Sequence, residues 1–440
     1  MQVSKIMLAV AALSLGATTF AAPLASRIAI SSGASATKGN LKVALTSLCS
    51  AGSGTLTEFT SGGNISTYVC ADVAVTAPTY GSKPDANFKN FSGTGFAELR
   101  LNVSGGSFTA VCALNNWPAG TACDTVNPLS APDKYLNPAS GTTVLPAAGQ
   151  VIVGGLMDVA PDTFPATVTV GLTLPAADLT GVAQTFGVAA SDTLYTAMFN
   201  VQKSAGGATL DKPIPSTCLV TDTARLECVP VVSKGQMATI LANNPFNDAY
   251  TNGAGFLAGA ALNSTILEYN RRVDTSGTQA SAQAYFLGLP CTGNPLSIVA
   301  APPVGTSTTI GAIKVFAHAG TGDVRARLST AGVYGIGIMS GENNQTDTGT
   351  TWKWLRMQGA AIGENAKPST GVTNSASVKN GSYDYYFESR VVPGPAAGAS
   401  TFWSAVTGTL NTLPAPVGLL NATDLTAYNK GGNACQYNSR

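Results

Sequence analysis

Charge is what this chain has least of. Asp, Glu, Lys and Arg together make up 11% of 440 residues, against about a quarter in an ordinary soluble protein. The formal net charge is +1, so no electrostatic face is available to attract nucleic acid or an anionic membrane. Histidine is nearly absent, with His318 as the one instance. A His-based zinc site is therefore excluded, and no C-x-x-C pair offers a thiolate one. No G-x-S-x-G nucleophile elbow occurs. A lone histidine is read as structural, and Asp384 and Glu388, four apart in "YDYYFE", as part of a packed tyrosine-rich strand. The expectation is a non-enzyme without metal or cofactor.

Long apolar runs are also missing. Ile6–Leu15 is a short one, preceded by Lys5 and followed by the small-residue-rich stretch 17–22. That is the pattern of a secretory signal over residues 1–21, cut after Ala21. It is too short to span a bilayer. About 420 of the 440 residues then remain, more than one hydrophobic core usually serves, so two lobes are expected. Export agrees with eight cysteines. Eight allow 105 pairings. Local pairing favours Cys112–Cys123 and Cys218–Cys228, then Cys49–Cys70, and leaves Cys291 for Cys435.

What the chain does have is Gly, Thr, Ser and Asn arranged around short apolar runs. "RIAISSGASATKGNLKVALTSLC", "FAELRLNVSGGSFTAVCAL" and "TILEYNRRVDTSGTQASAQAYFLG" each read as strand, small turn, helix. "QVIVGGLMDVAP" reads as a buried strand ending at Asp158. The alternation predicts an α/β fold with mostly parallel sheets. Residues 71–92, 117–149, 341–351 and 390–401, rich in Gly, Pro, Thr and Asn, read as loop insertions.

Three of the strand-to-helix turns share one chemistry: "SGASAT" (32–37), "SGGS" (104–107) and "TSGT" (275–278). Free N–H groups and a partial positive charge at a helix start, with glycine and hydroxyl donors, suit an oxyanion. The same residues are ordinary helix N-caps, so each turn alone admits both readings. "TSGT" stands apart because Arg272 and Asp274 flank it. A guanidinium can grip an oxyanion with two parallel hydrogen bonds, held in place by the carboxylate. Side chains alternate along a strand, so only one of Arg271 and Arg272 can face a cleft; Arg271 is expected to face outward or to brace its lobe.

"RRVDTSGTQ" resembles the R-x-D-G-S-G-T segment of periplasmic phosphate-binding proteins, the receptors of phosphate ABC transporters. "SGASAT", "VSGGSFTAV", "VGGLMD", "GVYGIGIMSGEN" and "KPSTGVTNSASVKNGSYDYYFESRV" resemble further segments of that family in the same order, as islands over most of the chain. The resemblance implies a two-lobed type 2 periplasmic binding protein fold, with a ligand cleft between lobes and long loop insertions. Lobe one would hold 22–182 and 384–440, and lobe two 183–383. It further implies donors from Ala36, Thr37 and Ser104 of lobe one and from Arg272, Ser276, Gly277 and Thr278 of lobe two. Asp158 would accept the proton of hydrogen phosphate and repel sulfate, and Asp274 would orient Arg272. A monomeric protein of a Gram-negative periplasm or exterior is expected, binding phosphate and serving an inner-membrane ABC permease. The competing reading is a secreted surface or matrix protein built on a binding-protein fold, since fold does not dictate function.

Overall fold

The structure, a computed structural model, describes residues 22–115, 121, 123, 135–204, 214–242, 252–289, 298–358, 378, 383–412 and 419–421. The expected signal segment 1–21 lies outside them, as do Cys291 and Cys435.

The chain opens with β1 (Ile28–Ser32), buried on both faces, and the helix Lys38–Ala51. A hairpin follows, β2 (Thr55–Ser61) and β3 (Ile65–Ala71), then β4 (Glu98–Asn102) and the helix Thr109–Leu114. A small separate hairpin, β5 (Tyr135–Asn137) and β6 (Thr142–Val144), precedes β7 (Val151–Met157). β1 pairs in parallel with β4 on one side and β7 on the other. β1 and β7 are mostly apolar because both of their faces are covered, whereas β4 alternates and buries a Glu98–Arg100 ion pair.

The second half repeats the plan. After β8 (Asp178–Ala190) come the helix Asp192–Ser204, β9 (Val231–Ser233) and the helix Lys234–Leu241. β10 (Leu267–Arg272) then leads into the helix Gly277–Leu287. β11 (Ser307–Ile310), β12 (Ile313–His318), the helix Thr321–Leu328 and β13 (Gly335–Ser340) complete that layer. Short β14 (Lys353–Trp354) and β15 (Arg356–Gln358) are followed by β16 (Tyr386–Pro393), the helix Ala399–Thr412 and β17 (Leu419–Asn421). β10 pairs in parallel with β12 and β13.

β8 and β16 join the halves. The first part of β8 runs antiparallel to β16 and β17, its last part antiparallel to β13, and β16 also borders β7. The main order is β11-β12-β10-β13-β8-β16-β7-β1-β4-β3-β2. The fold is α/β in two lobes, as the sequence predicts, but the sheet is mixed rather than mostly parallel. The reason is local: the β2–β3 hairpin, β11 and the strands passing between lobes all run antiparallel to their neighbours.

Within each lobe the parallel strands lie in the order second, first, third: β4-β1-β7 and β12-β10-β13. The chain reverses its direction of winding between the first and third strand, and such a switch point leaves a crevice at the strands' C-terminal ends. One core cluster packs Leu41, Leu45 and Leu48 with Phe402, Trp403 and Val406 against the lobe-one sheet. A larger one joins Phe108, Met157 and Phe164 to Phe186, Tyr269, Ile336 and Tyr385, reaching across the join.

Cys49–Cys70, Cys112–Cys123 and Cys218–Cys228 are disulfides, with Cα atoms 5.6, 5.5 and 5.3 Å apart. The first ties the helix 38–51 to β3. Among the described residues no helix is long and apolar enough to cross a membrane.

Candidate functional site

The segments that follow β4 and β7 in lobe one meet the segment that follows β10 in lobe two. The 104–107 turn of lobe one rests directly on the 275–278 turn of lobe two. Phe108 N–H donates to Thr275 O (3.0 Å) and Thr275 Oγ1 to Gly105 O (2.5 Å). Gly106, at φ +86°, faces Ser276 so closely that a Cβ would stand 2.6 Å from its Cα. A Cβ on Gly277 would stand 2.8 Å from Asp158 Oδ2. Glycine at both positions is what permits the turns to close.

Asp158 follows β7 and is 3% exposed. A register shift in the β1–β7 pairing, with Gly154 at φ +91°, lies shortly before it; such bulges re-aim the residues that follow. Ser107 Oγ donates to Asp158 Oδ2 at 2.9 Å and accepts the Asp158 N–H at 3.3 Å. Oδ1 has no partner among the described residues. Burial pushes the carboxyl up to about 6, against the opposing pull of the Ser107 hydrogen bond and the Arg272 charge.

Arg272 ends β10 and is 2% exposed. Nη1 donates to Thr321 Oγ1 and Nη2 to Ala319 O, both at 2.7 Å. Nε, fully buried, has no partner among the described residues. Burial pulls the guanidinium down to about 10, opposed by Asp158, Asp323 and Glu342; it stays charged at neutral pH. His318, beside Arg272 on β12, lies 2.9 Å from Asn270 Oδ1, and burial pushes it down to about 4. It is neutral at neutral pH.

Arg271 is also buried, at 1% exposure. It reaches Val299 O and is ion-paired to Asp274. Arg271 thus braces the lobe and does not face outward. Asp274 holds Arg271 rather than Arg272, contrary to expectation, because the strand ends at Arg272 and the following turn folds Asp274 back onto the earlier arginine.

Of the other expected residues, Ala36 and Thr37 are buried at the start of the helix 38–51, with Thr37 Oγ1 donating to Ala34 O. Ser276, Gly277 and Thr278 are buried at the start of the helix 277–287. The N–H groups of this first helical turn have no intrahelical acceptors. Ser104 is partly buried, its N–H donating to Asn102 Oδ1. In the same turn it is Ser107 that reaches Asp158. Gly105 and Gly106, at φ +82° and +86°, turn the backbone between the two serines.

The sequence reading missed Glu342, two residues past β13. Ser340 Oγ donates to its Oε1 at 2.6 Å, and Asn343 Nδ2 does so at 3.2 Å. Gln184 Nε2, from β8, donates to Oε2 at 3.2 Å. Burial pushes Glu342 up to about 7, and the Asp158 charge adds to that, while Arg272 opposes it.

No protein-family model and no curated protein matches the chain. Among the solved structures that overlap it distantly are two. One is a putative phosphate ABC transporter substrate-binding protein with bound phosphate from Clostridium perfringens. It is 10% identical at TM-score 0.39, over 86% of this chain and 92% of that one. The other is PstS from Borrelia burgdorferi, 8% identical at TM-score 0.31, over the same shares. Overlaps this loose transfer neither a ligand nor a residue, so function rests on the geometry above.

Proposed function

We propose that the chain is an exported solute-binding protein that captures a small oxyanion, phosphate foremost, between its two lobes. One observation carries the reading. Where both switch points meet, a buried guanidinium nitrogen and a buried carboxylate oxygen, Arg272 Nε and Asp158 Oδ1, lack partners beside the first turn of the helix 277–287. A buried polar atom left unpaired costs about 1–3 kcal/mol. A ligand that both accepts from Arg272 and donates to Asp158 removes both costs. Hydrogen phosphate does both; sulfate, with no proton, only accepts.

On this reading Arg272, Ser276, Gly277 and Thr278 donate from lobe two, and Ala36, Thr37 and Ser104 from lobe one. Asp158 is the acceptor that sets specificity. Three disulfides agree with export, and an inner-membrane ABC permease is the partner such a receptor would serve. Calorimetric titration of the purified protein with phosphate, with sulfate as control, tests this. Binding of phosphate and not sulfate is expected. Failure to bind phosphate discards the receptor reading in favour of a surface or matrix role.

A further inference from the structure

Resting on that reading, we infer that Glu342 is a second ligand-side carboxylate, placed with Asp158 around Arg272, and that the site binds phosphate together with one proton more than Asp158 alone would require. The placement is topological. Glu342 follows the third parallel strand of lobe two, as Asp158 follows the third of lobe one. The two residues therefore stand at matching switch-point positions in the two lobes, and β13, which leads to Glu342, is hydrogen-bonded to β10, the strand that ends at Arg272.

Three donors, Ser340, Asn343 and Gln184, hold the Glu342 carboxylate in place. Gln184 belongs to β8, a strand that passes between the lobes, so the carboxylate is anchored at the join. The charged groups that act on it are Asp158, which disfavours its ionisation, and Arg272, which favours it. Arg272 has one buried N–H, and Asp158 one buried oxygen, without a partner among the described residues.

Hydrogen phosphate dianion beside two carboxylates and one guanidinium leaves an excess of negative charge in a buried site. One additional proton, on Glu342 or on the phosphate, lowers that excess and turns one acceptor–acceptor contact into a hydrogen bond. No bond to phosphorus forms or breaks. The consequence is proton uptake on binding, and an affinity that falls as pH rises through neutrality.

Phosphate titrations of the whole mature protein at pH 6 and 8, in two buffers of different ionisation enthalpy, test this. Affinity linked to one proton changes about tenfold per pH unit. The parent should take up more protons at pH 8 than Glu342→Gln, by an amount approaching one. The parent's affinity should also fall with pH about tenfold more steeply than the variant's. Ser340→Ala, which removes a hydrogen bond to the ionised carboxylate, should move the parent's pH dependence to higher pH. That second variant keeps the question open to test if Glu342→Gln fails to fold. Equal proton uptake and equal slopes, with phosphate still bound, overturn the role of Glu342 and leave the receptor reading intact. A melting temperature that shifts without any change in proton uptake makes Glu342 a brace for β8 and likewise overturns it. A parent that binds no phosphate overturns both.

Discussion

Replacing Asp158 by Asn gives the sharpest test of the site without any ligand. The substitution keeps the shape and an oxygen for the Ser107 hydroxyl, and removes the ability to ionise. In the folded chain burial raises Asp158 from 3.8 to about 6. The folded value lies above the unfolded one. The associated stability is therefore fully present below pH about 4 and lost as pH rises through about 6. At 1.36 kcal/mol per pH unit of displacement, the loss comes to about 3 kcal/mol by pH 8. Asp158→Asn does not titrate and escapes it. Urea unfolding of ligand-free parent and variant at pH 4 and pH 8 isolates the effect, because packing and hydrogen-bond changes that do not depend on pH cancel. The variant should gain about 3 kcal/mol on the parent between the two pH values. Glu342 also titrates in this range, and loss of the Asp158 charge lowers its pKa in the variant, which adds to the variant's gain in the same direction. A parent–variant gap that is the same at both pH values would refute the claim that Asp158 is held in a desolvated position without a full partner.

Four further outcomes follow. Arg272→Ala should weaken phosphate binding by about 3 kcal/mol, since hydrogen bonds from a charged group contribute about 1.5–3 kcal/mol each. Calorimetry reads this directly. Arg271→Ala should instead lower unfolding stability by about 2 kcal/mol, through loss of the buried contacts to Val299 and Asp274, and change phosphate affinity by less than about 1 kcal/mol; equal losses of binding in the two variants would contradict the assignment. Gly277→Ala puts a methyl group 2.8 Å from Asp158 Oδ2, so small-angle scattering should show lobes that no longer close with phosphate, while the circular dichroism spectrum is kept. Replacing Cys112 and Cys123 by Ser should cost about 2–3 kcal/mol, the value for a loop of about ten residues, measured as a lower urea midpoint; an unchanged midpoint would mean the bridge is absent in solution.

The sequence by itself determined which segments become strands and which turns precede helices. Buried strands such as "RIAIS" and "VIVGGLM" are apolar because both faces are covered, and the Gly/Ser/Thr turns after them mark where helices start. It also marked Asp158, a lone carboxylate at the end of an apolar run, and the two adjacent arginines. Local pairing of three cysteine couples was legible because a short loop is the least costly to close. Four things only the tertiary structure decided. Alternation along a strand stops where the strand stops, so Asp274, just beyond β10, could turn back to Arg271 instead of lying under Arg272. The choice of Ser107 over Ser104 depends on two successive positive-φ glycines, whose conformations a one-dimensional reading does not supply. The mixed sheet arises from the direction in which β8 and β16 pass between lobes. Glu342 had no local signal at all: "SGENN" reads as a polar turn, and its carboxylate acquires meaning only because β13 lies beside β10, within electrostatic reach of Arg272 and Asp158. Local chemistry is written residue by residue, but which charges share a buried site is a property of strand order, and strand order is set by packing of the whole chain.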